Sequence, residues 1–452
     1  MPEARRRPPT AARKRIVVTA LAVLSGAGFG LPDAAAQELT SENVKRSIER
    51  GVAALSKLQN DNGSWNSPNV SHTSGATALC VLALINSGES VDSPAVAAGL
   101  KYLRDRRPGQ IMGDGTYDVS LALMAFAAAK DGRRDGARML ALTRALEAGR
   151  VKVGPHRGGW TYGLGENNRG ADRSNSQYAV LGLRDAAYAG IPVQRQTWED
   201  VRNYWVGGNA QNRDGGYTYG LAGGGARGSM TVAGIATVSI LKSVLKEDNL
   251  KPDGTPNCCA VNAEEERLDE AVERASEWLT RRFSVTRNPQ YSGHTLYYLY
   301  GLERAGRLAG KRFFGPHDWY REGAEFLVVR NNQNPRTGGW QGNGFGENNE
   351  TIGTAFALLF LSKGLSPVLI NKLKYNDRGT DQWDAHPADA RNLTYHISGL
   401  PKWPKLVTWQ VLDLEKAVAA GDLAGALQGP VTLMTGKNAP SLTGREIAFL
   451  RD

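Results

Sequence analysis

The sequence predicts a mainly α-helical protein, an (α/α)6 toroid of six helix pairs followed by a short C-terminal α/β segment. A glycine-rich loop with an aromatic residue recurs along the chain, as Gly158-Gly159-Trp160, Gly215-Gly216-Tyr217 and Gly338-Gly339-Trp340. An amphipathic segment precedes each loop, and a segment that is apolar on all sides follows it. A helix without a polar face must be surrounded by apolar neighbours, so the apolar helices are expected to form an inner ring. An open α-solenoid is the alternative, because a repeat predicts an array without establishing its closure.

Six such pairs follow one another along the chain. In the first, Val44, Ile48 and Val52 lie on one face of the amphipathic segment 41–59, and the apolar segment 76–85 follows. The other pairs are 96–106 with 119–129, 138–148 with 176–189, 198–205 with 232–244, 268–283 with 295–302, and 319–329 with 352–361. Four apolar segments are followed by a glycine suited to a left-handed helix end: Gly88, Gly190, Gly306 and Gly364.

The recurring loops allow two interpretations. Glycine permits close backbone approach, and the adjacent aromatic side chain supplies buried area with a polar tip. Gln59, Gln211 and Gln333 precede three of the loops, where their side chains are expected to bind exposed N–H groups of helix starts. On this interpretation the loops are clasps between successive pairs. On the other interpretation, aromatic and polar side chains wall a ligand cavity, the candidates being His72, Trp160, Tyr178, Tyr217, Tyr297 and Trp340.

Residues 1–36 have the features of a secretory signal peptide. A basic stretch that includes Arg5 and Arg15 precedes an apolar core at residues 16–31, and Ala34-Ala35-Ala36 fits a cleavage site of small residues. The core is short for a membrane span and is interrupted by glycine. We therefore expect an exported protein, periplasmic or extracellular, that is cleaved after Ala36; an uncleaved anchor is the alternative.

The composition argues against nucleic-acid binding and against a metal centre. The formal net charge is +10, but the basic side chains beyond the N-terminal segment form no block. Cys80 lies in an apolar run, whereas Cys258 and Cys259 are adjacent in a polar insertion. No cluster of cysteine and histidine surrounds that pair, so we predict no metal and no other cofactor.

The segment Gly51-x-x-Ala54-Leu55-x-x-x-Gln59-x-x-x-Gly63-x-Trp65 resembles the repeat of the terpenoid cyclase and protein prenyltransferase superfamily, the squalene cyclase-like toroids. Looser copies run from Tyr204-Trp205 to Tyr217 and from Phe326-Leu327 to Trp340. The resemblance covers residues 41–364 and implies a toroid. It implies much less about the reaction, because one fold hosts many chemistries.

The known reactions of that superfamily lack their motifs in this chain. The Asp-x-Asp-Asp run of the squalene cyclases is absent, and so is the Cys-Gly-Glu-Gln thioester motif of complement-type toroids. The segment from His294 to Leu302 resembles the histidine-bearing helix of the prenyltransferases, which hold zinc with an Asp, a Cys and a His. The matching Asp-x-Cys segment is missing, so a zinc site lacks its ligands.

In such a toroid the inner helices start at one end, so the residues before them can converge on one cavity. Those residues are His72, Asp118, Ser176, Ser229, His294 and Glu350, with Glu166 and Glu347 in the loops above. Asp118 and Glu350 are candidates for an acid/base pair of the kind that cleaves glycosides. His294 or His72 is a candidate proton-transfer group. Helix capping is the alternative role of the carboxylates, and core packing that of the histidines.

The pattern changes after residue 364. Strand-like segments at 368–373, 406–412 and 430–434 alternate with helix-like segments at 388–397 and 442–450, which predicts a mostly parallel sheet. Residues 389–395, 408–411 and 430–434 resemble the start of an uncharacterised bacterial domain family with a flavodoxin-like, glutamine-amidotransferase-like fold. Only about the first half of such a domain would be present at residues 365–452, so we expect either a truncated domain or a half-domain that leans on the toroid or on a protein partner.

The predicted organisation is therefore a signal peptide at 1–36, a toroid at 37–364 and a partial α/β domain at 365–452. We expect an exported binding or scaffold module for an apolar or extended ligand such as a lipid or an isoprenoid. A terpenoid cyclase or transferase with a different acid, and a carbohydrate-active (α/α)6 enzyme, are the alternatives. The sequence leaves open whether the protein is an enzyme.

Overall fold

The computed structural model describes most of the chain beyond the predicted signal peptide. The described residues are 39–69, 72–208, 210–221, 224–245, 263–330, 332–362, 368–376, 383–385, 389–390, 393–394, 397, 407–420 and 429–451. The predicted signal peptide, Cys258, Cys259 and Gly364 lie outside the described residues.

Helices dominate the structure up to residue 361. They are α1 (Ser41–Lys57), α2 (Thr73–Asn86), α3 (Pro94–Asp105), α4 (Pro108–Asp114), α5 (Thr116–Ala129), α6 (Gly132–Gly149), α7 (Arg173–Tyr188), α8 (Arg195–Val206), α9 (Gly228–Val244), α10 (Ala263–Arg281), α11 (Thr295–Leu308), α12 (Trp319–Val328) and α13 (Glu350–Leu361). Apart from the short α4, which the sequence pattern did not predict, they form the six predicted pairs of an amphipathic and an apolar helix.

The six apolar helices form a closed inner ring. Around this ring α2 packs against α5, α5 against α7, α7 against α9, α9 against α11, and α11 against α13. Helix α13 then packs against α2, which closes the circle, and α1, α3, α6, α8, α10 and α12 lie outside. Apolar side chains all round each inner helix are buried by these neighbours. The predicted (α/α)6 toroid is confirmed, and the open solenoid is not what forms.

Four joints between an outer and an inner helix share one clasp, in which an aromatic side chain bridges the two helices. The aromatic residues are Trp65, Trp160, Tyr217 and Trp340, all of which are buried. Each donates its ring N–H or O–H to a carbonyl of the preceding outer helix, over 2.7 to 3.1 Å. Each also donates its backbone N–H to a hydroxyl on the following inner helix, that of Thr77, Ser176, Thr231 or Thr354.

A glycine two residues before each clasp aromatic lets the next outer helix approach. Gly158 has a φ of +90°, and a Cβ there would overlap the carbonyl oxygen of Asp200 in α8. Gly338 has a φ of +82°, and its Cβ would lie 2.8 Å from the carbonyl oxygen of Arg50 in α1. Because α1 is the first helix of the toroid, the last clasp joins the two ends of the array.

The glutamines that precede three of the clasps donate hydrogen bonds to carbonyl groups, whereas the sequence predicted that they would accept them from N–H groups. The Gln333 amide donates to the carbonyls of Gly338 and Ser47, at 2.7 and 2.9 Å. The amides of Gln59 and Gln211 do the same at their own joints. The predicted clasp is confirmed, but the predicted bonding to helix N–H groups is wrong, because the carbonyls of a left-handed turn lack ladder partners and require a donor.

The helix ends agree with the sequence at two of the described glycines. Gly88 and Gly190 have φ of +97° and +87° and follow α2 and α7. Gly306 instead lies inside α11, where the Trp319 ring packs so closely that no Cβ fits. The left-handed residue after α11 is Gly310, with a φ of +66°. A short hairpin that the sequence pattern did not predict follows, with antiparallel strands β1 (Phe313–Phe314) and β2 (His317–Asp318).

The C-terminal segment contains a parallel sheet, as predicted. Strands β3 (Val368–Lys374), β4 (Thr408–Asp413) and β5 (Val431–Leu433) pair in the order β4-β3-β5, with α14 (Leu414–Ala420) and α15 (Gly444–Arg451) beside them. This is the order of the first three strands of a doubly wound 2-1-3-4-5 sheet; membership of a particular domain family stays a prediction. The sheet contacts the C-terminal end of α11, where the Trp409 ring lies against Gly310.

Candidate functional site at the mouth of the toroid

The N-terminal ends of the inner helices surround a cavity of about 720 Å³. This volume lies within the range of small-molecule sites, about 300 to 1,000 Å³. All six inner helices contribute to its wall, through Gly75, Ala76, Leu79, Tyr117, Asp118, Leu121, Ser174, Tyr178, Ser229, Met230, Tyr297, Ile352 and Phe356. The loops above them contribute Ser67, Pro68, Asn69, His72, Tyr162, Tyr219, Arg227, Tyr291, His294, Phe345, Gly346 and Glu347.

The lining becomes more apolar with distance from the mouth. Because each inner helix runs away from the mouth, a residue one turn later in sequence lies one turn deeper. Asp118 is thus followed by Leu121, while on α13 both Ile352 and the deeper Phe356 are apolar. The cavity therefore offers polar groups near its entrance and hydrocarbon and aromatic surface below.

A histidine–aspartate pair is the most polar feature of the wall. The Nδ1 atom of His72 lies 2.6 Å from Oδ2 of Asp118, and the backbone N–H of Gly75 donates to Oδ1 over 2.5 Å. The Asp118 side chain is fully buried, whereas that of His72 is about a third exposed (32%). The pair sits where α2 and α5 both begin, so the predicted convergence of helix starts brings these two residues together.

The surroundings raise the pKa of both groups. The hydrogen bond to Asp118 raises the pKa of His72, against the opposing effect of partial burial. Burial raises the pKa of Asp118, and the bond to His72 works against that rise. Both shifts retain a proton on the pair to higher pH than in free solution, which is the property of a group that can give a proton to a ligand.

Tyrosine hydroxyls form a connected network across α5, α7 and α11 of the wall. The Ser174 hydroxyl lies 2.6 Å from the hydroxyls of both Tyr117 and Tyr297, and the Gln177 amide also donates to Tyr297. Burial raises the pKa of Tyr117 and of Tyr297. These phenols therefore stay neutral at physiological pH, and both residues line the cavity.

A stacked group of side chains borders the entrance. The guanidinium of Arg227 lies 4.2 Å from the centre of the Tyr291 ring and 5.7 Å from that of Tyr219. The His294 ring lies parallel to Tyr291 at 5.9 Å. His294 itself has a left-handed backbone, with a φ of +62°, directly before α11.

Glu347 is the second carboxylate of the described lining, and it caps a helix. It accepts the backbone N–H of Tyr297 over 2.7 Å and that of Asn343 over 3.1 Å. The first of these bonds satisfies a free N–H at the start of α11. Glu347 therefore fixes the loop over the cavity to α11, and its oxygens are already engaged.

The predicted site residues divide into two groups. His72, Asp118, Tyr178, His294 and Tyr297 line the cavity. Their binding or catalytic roles stay predictions.

Four of the predicted site residues lie outside the cavity lining and have structural partners. Glu350 accepts a hydrogen bond from the Thr337 hydroxyl, so the predicted acid/base pair of Asp118 and Glu350 is not brought together in the cavity. The aromatic rings of three further candidates are held in the clasps instead: Trp160, Tyr217 and Trp340.

Several lining residues were missed by the sequence reasoning. Tyr162 and Tyr219 each lie two residues after a clasp aromatic, Trp160 or Tyr217. In extended chain, residues two positions apart face the same way, so that periodicity would have placed both tyrosines with the buried clasp aromatics and could not have found them. Arg227 was also missed, although it directly precedes an inner helix, as His72 and His294 do.

Two kinds of site are not found in the described part of the chain. No group of three or more His, Cys, Asp or Glu side chains there has the geometry to hold a metal ion. None of the described helices combines the length and apolar character needed to cross a lipid bilayer.

No protein-family model and no curated protein sequence matches the chain. Among solved structures, it is similar to the GH76A alpha-1,6-mannanase of a Salegentibacter species, with 13% identity over 71% of this chain and 99% of that one, at a TM-score of 0.48. It is also similar to Candida albicans protein geranylgeranyltransferase-I complexed with GGPP, with 14% identity over 71% and 90% and a TM-score of 0.43. A third is a possible GH105 family member from Salmonella enterica, with 12% identity over 72% and 94% and a TM-score of 0.46. At such values the similarities carry no argument about fold or activity, and the closed ring rests on the helix packing described above.

Proposed function

We propose that the toroid is a binding module for a ligand with an apolar body, which enters the cavity between the inner helices. The observation that carries this proposal is the cavity of about 720 Å³, whose deeper wall is formed by side chains such as Leu79, Leu121, Met230 and Phe356. Removing apolar ligand surface from water against such a wall contributes about 25 cal/mol per Å². The tyrosine rings add surfaces on which a flat or unsaturated chain packs well.

The test is recovery of the ligand from the protein. Mature protein is purified gently from the exporting cell, examined by native mass spectrometry and extracted with organic solvent. We expect a bound apolar molecule that is released by the solvent. Export itself, and a protein partner at the C-terminal segment, belong to this proposal and are tested by cell fractionation and by the masses of co-purifying chains.

A matched pair of variants ties the ligand to the cavity. Ile352→Trp replaces an aliphatic side chain of the cavity lining on α13 with a bulky indole. Leu140→Trp makes the same kind of change on an exposed face of outer helix α6. We expect Ile352→Trp to lower ligand occupancy about tenfold or more, because the added ring displaces apolar contact worth about 1.4 kcal/mol or more. Full occupancy in Ile352→Trp would contradict the proposal.

Acid catalysis on the bound ligand is the second candidate, and the His72–Asp118 pair favours it. The His72 imidazole, about a third exposed (32%) and hydrogen-bonded to the buried Asp118 carboxyl group, can pass a proton from the pair to a ligand placed against it. On this candidate Asp118→Asn abolishes turnover of the recovered ligand and leaves its binding within about threefold. Undiminished turnover in Asp118→Asn would remove the pair from the mechanism.

The carbohydrate-active alternative has a narrower basis. Such an enzyme needs two carboxylates across the cleft, and Asp118 and Glu347 both line this cavity. Glu347, however, is engaged by two backbone N–H groups, which favours a structural role for it. A glycan in place of an apolar molecule in the extraction experiment would reverse this order.

A further inference from the structure

We infer that the ligand carries a single carboxylate group, and that Arg227 binds this carboxylate at the mouth while the apolar body lies below. The inference rests on the proposed function, because it names the class of ligand that the same cavity takes: a carboxylated amphiphile.

Arg227 is the one arginine or lysine among the described residues of the cavity lining. No described carboxylate lies within ion-pair distance of its guanidinium, and no described side chain or carbonyl accepts a hydrogen bond from it. Without a protein acceptor, the five N–H donors of this guanidinium rely on water, and their fork geometry matches a carboxylate. The ligand can supply that carboxylate.

The aromatic stacking fixes how the guanidinium is presented. The Tyr291 ring lies against it at 4.2 Å, and the Tyr219 ring lies at 5.7 Å. A planar guanidinium that stacks on an aromatic face keeps the N–H groups at its edge available in its own plane. A carboxylate is also planar and accepts two parallel N–H bonds from that edge.

The charges around the cavity select a monoanion over a phosphate. The described lining has two carboxylates, those of Asp118 and Glu347, against the one guanidinium of Arg227. A phosphate monoester or diphosphate would add about two or more negative charges at neutral pH to this wall. A carboxylate adds one, which the guanidinium balances, and it needs no metal ion.

The polarity gradient of the wall sets the orientation of the ligand. Arg227 lies directly before α9, and Met230 of the same helix lines the cavity below it. A ligand with its carboxylate on Arg227 therefore extends its apolar part past Met230 towards Phe356. The reverse orientation would place the carboxylate away from the guanidinium and against side chains such as Leu121 and Phe356, which offer it no donor.

The test compares three probes with one hydrocarbon chain and different heads: oleate, oleyl alcohol and oleyl phosphate. Binding to solvent-stripped mature protein is measured by displacement of a fluorescent apolar probe, below the concentrations at which the amphiphiles aggregate. We expect oleate to bind about tenfold or more tightly than oleyl alcohol, the range of a charge-assisted hydrogen-bonded pair, and more tightly than oleyl phosphate.

Three variants assign the preference to Arg227. Arg227→Gln is expected to bind oleate and oleyl alcohol within about twofold of each other, with the affinity for the alcohol unchanged. Arg227→Lys keeps the charge and is expected to retain part of the preference, because an ammonium makes no planar two-point contact. Arg213→Gln changes an exposed arginine outside the cavity lining and is the control for loss of charge alone. Thermal unfolding verifies that each variant is folded.

The outcomes separate this inference from the proposed function. Equal affinities for oleate and oleyl alcohol in the wild-type protein, or a preference for oleate that survives Arg227→Gln, would overturn the carboxylate assignment and leave the apolar cavity intact. Tighter binding of oleyl phosphate would also overturn it, in favour of a phosphorylated ligand. Failure of all three probes to bind would overturn the proposed function together with the inference.

Discussion

Trp160 and Tyr162 lie two residues apart in one loop and differ in almost every physical respect. Trp160 is fully buried, and its indole N–H donates to the Leu146 carbonyl over 2.8 Å. Tyr162 is 55% exposed at the mouth of the cavity, and its hydroxyl lies 3.0 Å from that of Tyr219. The first side chain joins an outer to an inner helix, whereas the second faces the space that a ligand would enter.

The same difference recurs at other joints of the ring. Tyr217 is buried in its clasp, and Tyr219 lines the cavity; Trp65 is buried, and Ser67 lines the cavity. The clasp position is aromatic in all four clasps, whereas the position two residues later is Tyr, Tyr, Ser or Gly. Packing therefore restricts the first position, and the second is free to determine what the cavity binds.

The largest expected effect is a difference in stability between two single variants, Trp160→Ala and Tyr162→Ala. Trp160→Ala removes a fully buried indole and leaves the Leu146 carbonyl without its donor, so it should lower the free energy of unfolding by about 3 to 5 kcal/mol. Tyr162→Ala removes an exposed ring and should change the free energy of unfolding by about 0.5 kcal/mol or less. Urea unfolding followed by far-ultraviolet circular dichroism measures both.

Ligand binding should distinguish the same two variants in a different way, because only Tyr162 faces the cavity. Tyr162→Ala is expected to weaken binding of the apolar ligand while the protein stays folded, because a ring at the entrance is lost. If Tyr162→Ala destabilised the protein as much as Trp160→Ala, the division between clasp and cavity residues would be wrong.

The toroid was predictable because its signal is repeated six times. Each inner helix is apolar on all sides, and only a ring of such helices buries them all. The residues that line the cavity were less predictable. A clasp tryptophan and a cavity tyrosine are both aromatic residues near glycine, so the sequence alone does not distinguish their roles. Glu350 illustrates the same limit, because a carboxylate at a helix start serves a loop hydroxyl or a ligand equally well, and only three-dimensional packing decides between them.

The sequence predicted that His72 and Asp118 lie near one cavity, but it did not predict that they contact each other. Both were predicted to lie near one cavity because both lie at the start of an inner helix. That they touch follows from the neighbouring positions of α2 and α5 in the ring, together with Gly75, where a Cβ would lie 2.7 Å from the Asp118 carboxylate. A single sequence cannot show which residues meet at such a close approach.

Two glycines of one loop provide an intermediate effect. Gly158 and Gly154 have φ of +90° and +75°, so alanine is strained at both by about 1 to 2 kcal/mol. At Gly158 the new methyl group would also overlap the Asp200 carbonyl, whereas nothing lies within 4 Å at Gly154. Gly158→Ala should therefore destabilise the protein by about 1 to 3 kcal/mol more than Gly154→Ala. Equal losses in urea unfolding would show that α8 does not approach the clasp as closely as described.

The smallest expected effect is a pH dependence of the free energy of unfolding, which arises from the His72–Asp118 pair in the cavity wall and not from the clasps. Because its bond to Asp118 raises the pKa of His72 above the ordinary value of 6.5, the folded state holds that proton more tightly than the unfolded state. The resulting stabilisation is fully present below pH 6.5 and is lost as pH rises through the raised pKa; the rise in the pKa of Asp118 acts in the same direction.

The free energy of unfolding should thus fall as the pH rises from about 6.5 through the raised pKa of His72, and the fall should be shallower in His72→Gln, which has no imidazole to titrate. Exposure of about a third of the His72 side chain keeps the effect small, because solvent screens the pair. Tyr162→Ala, which leaves the pair in place, should retain the wild-type slope. Parallel pH profiles for the wild-type protein and His72→Gln would mean that the pair exchanges no proton on unfolding in this range, and the case for the pair as a proton donor would lose its physical basis.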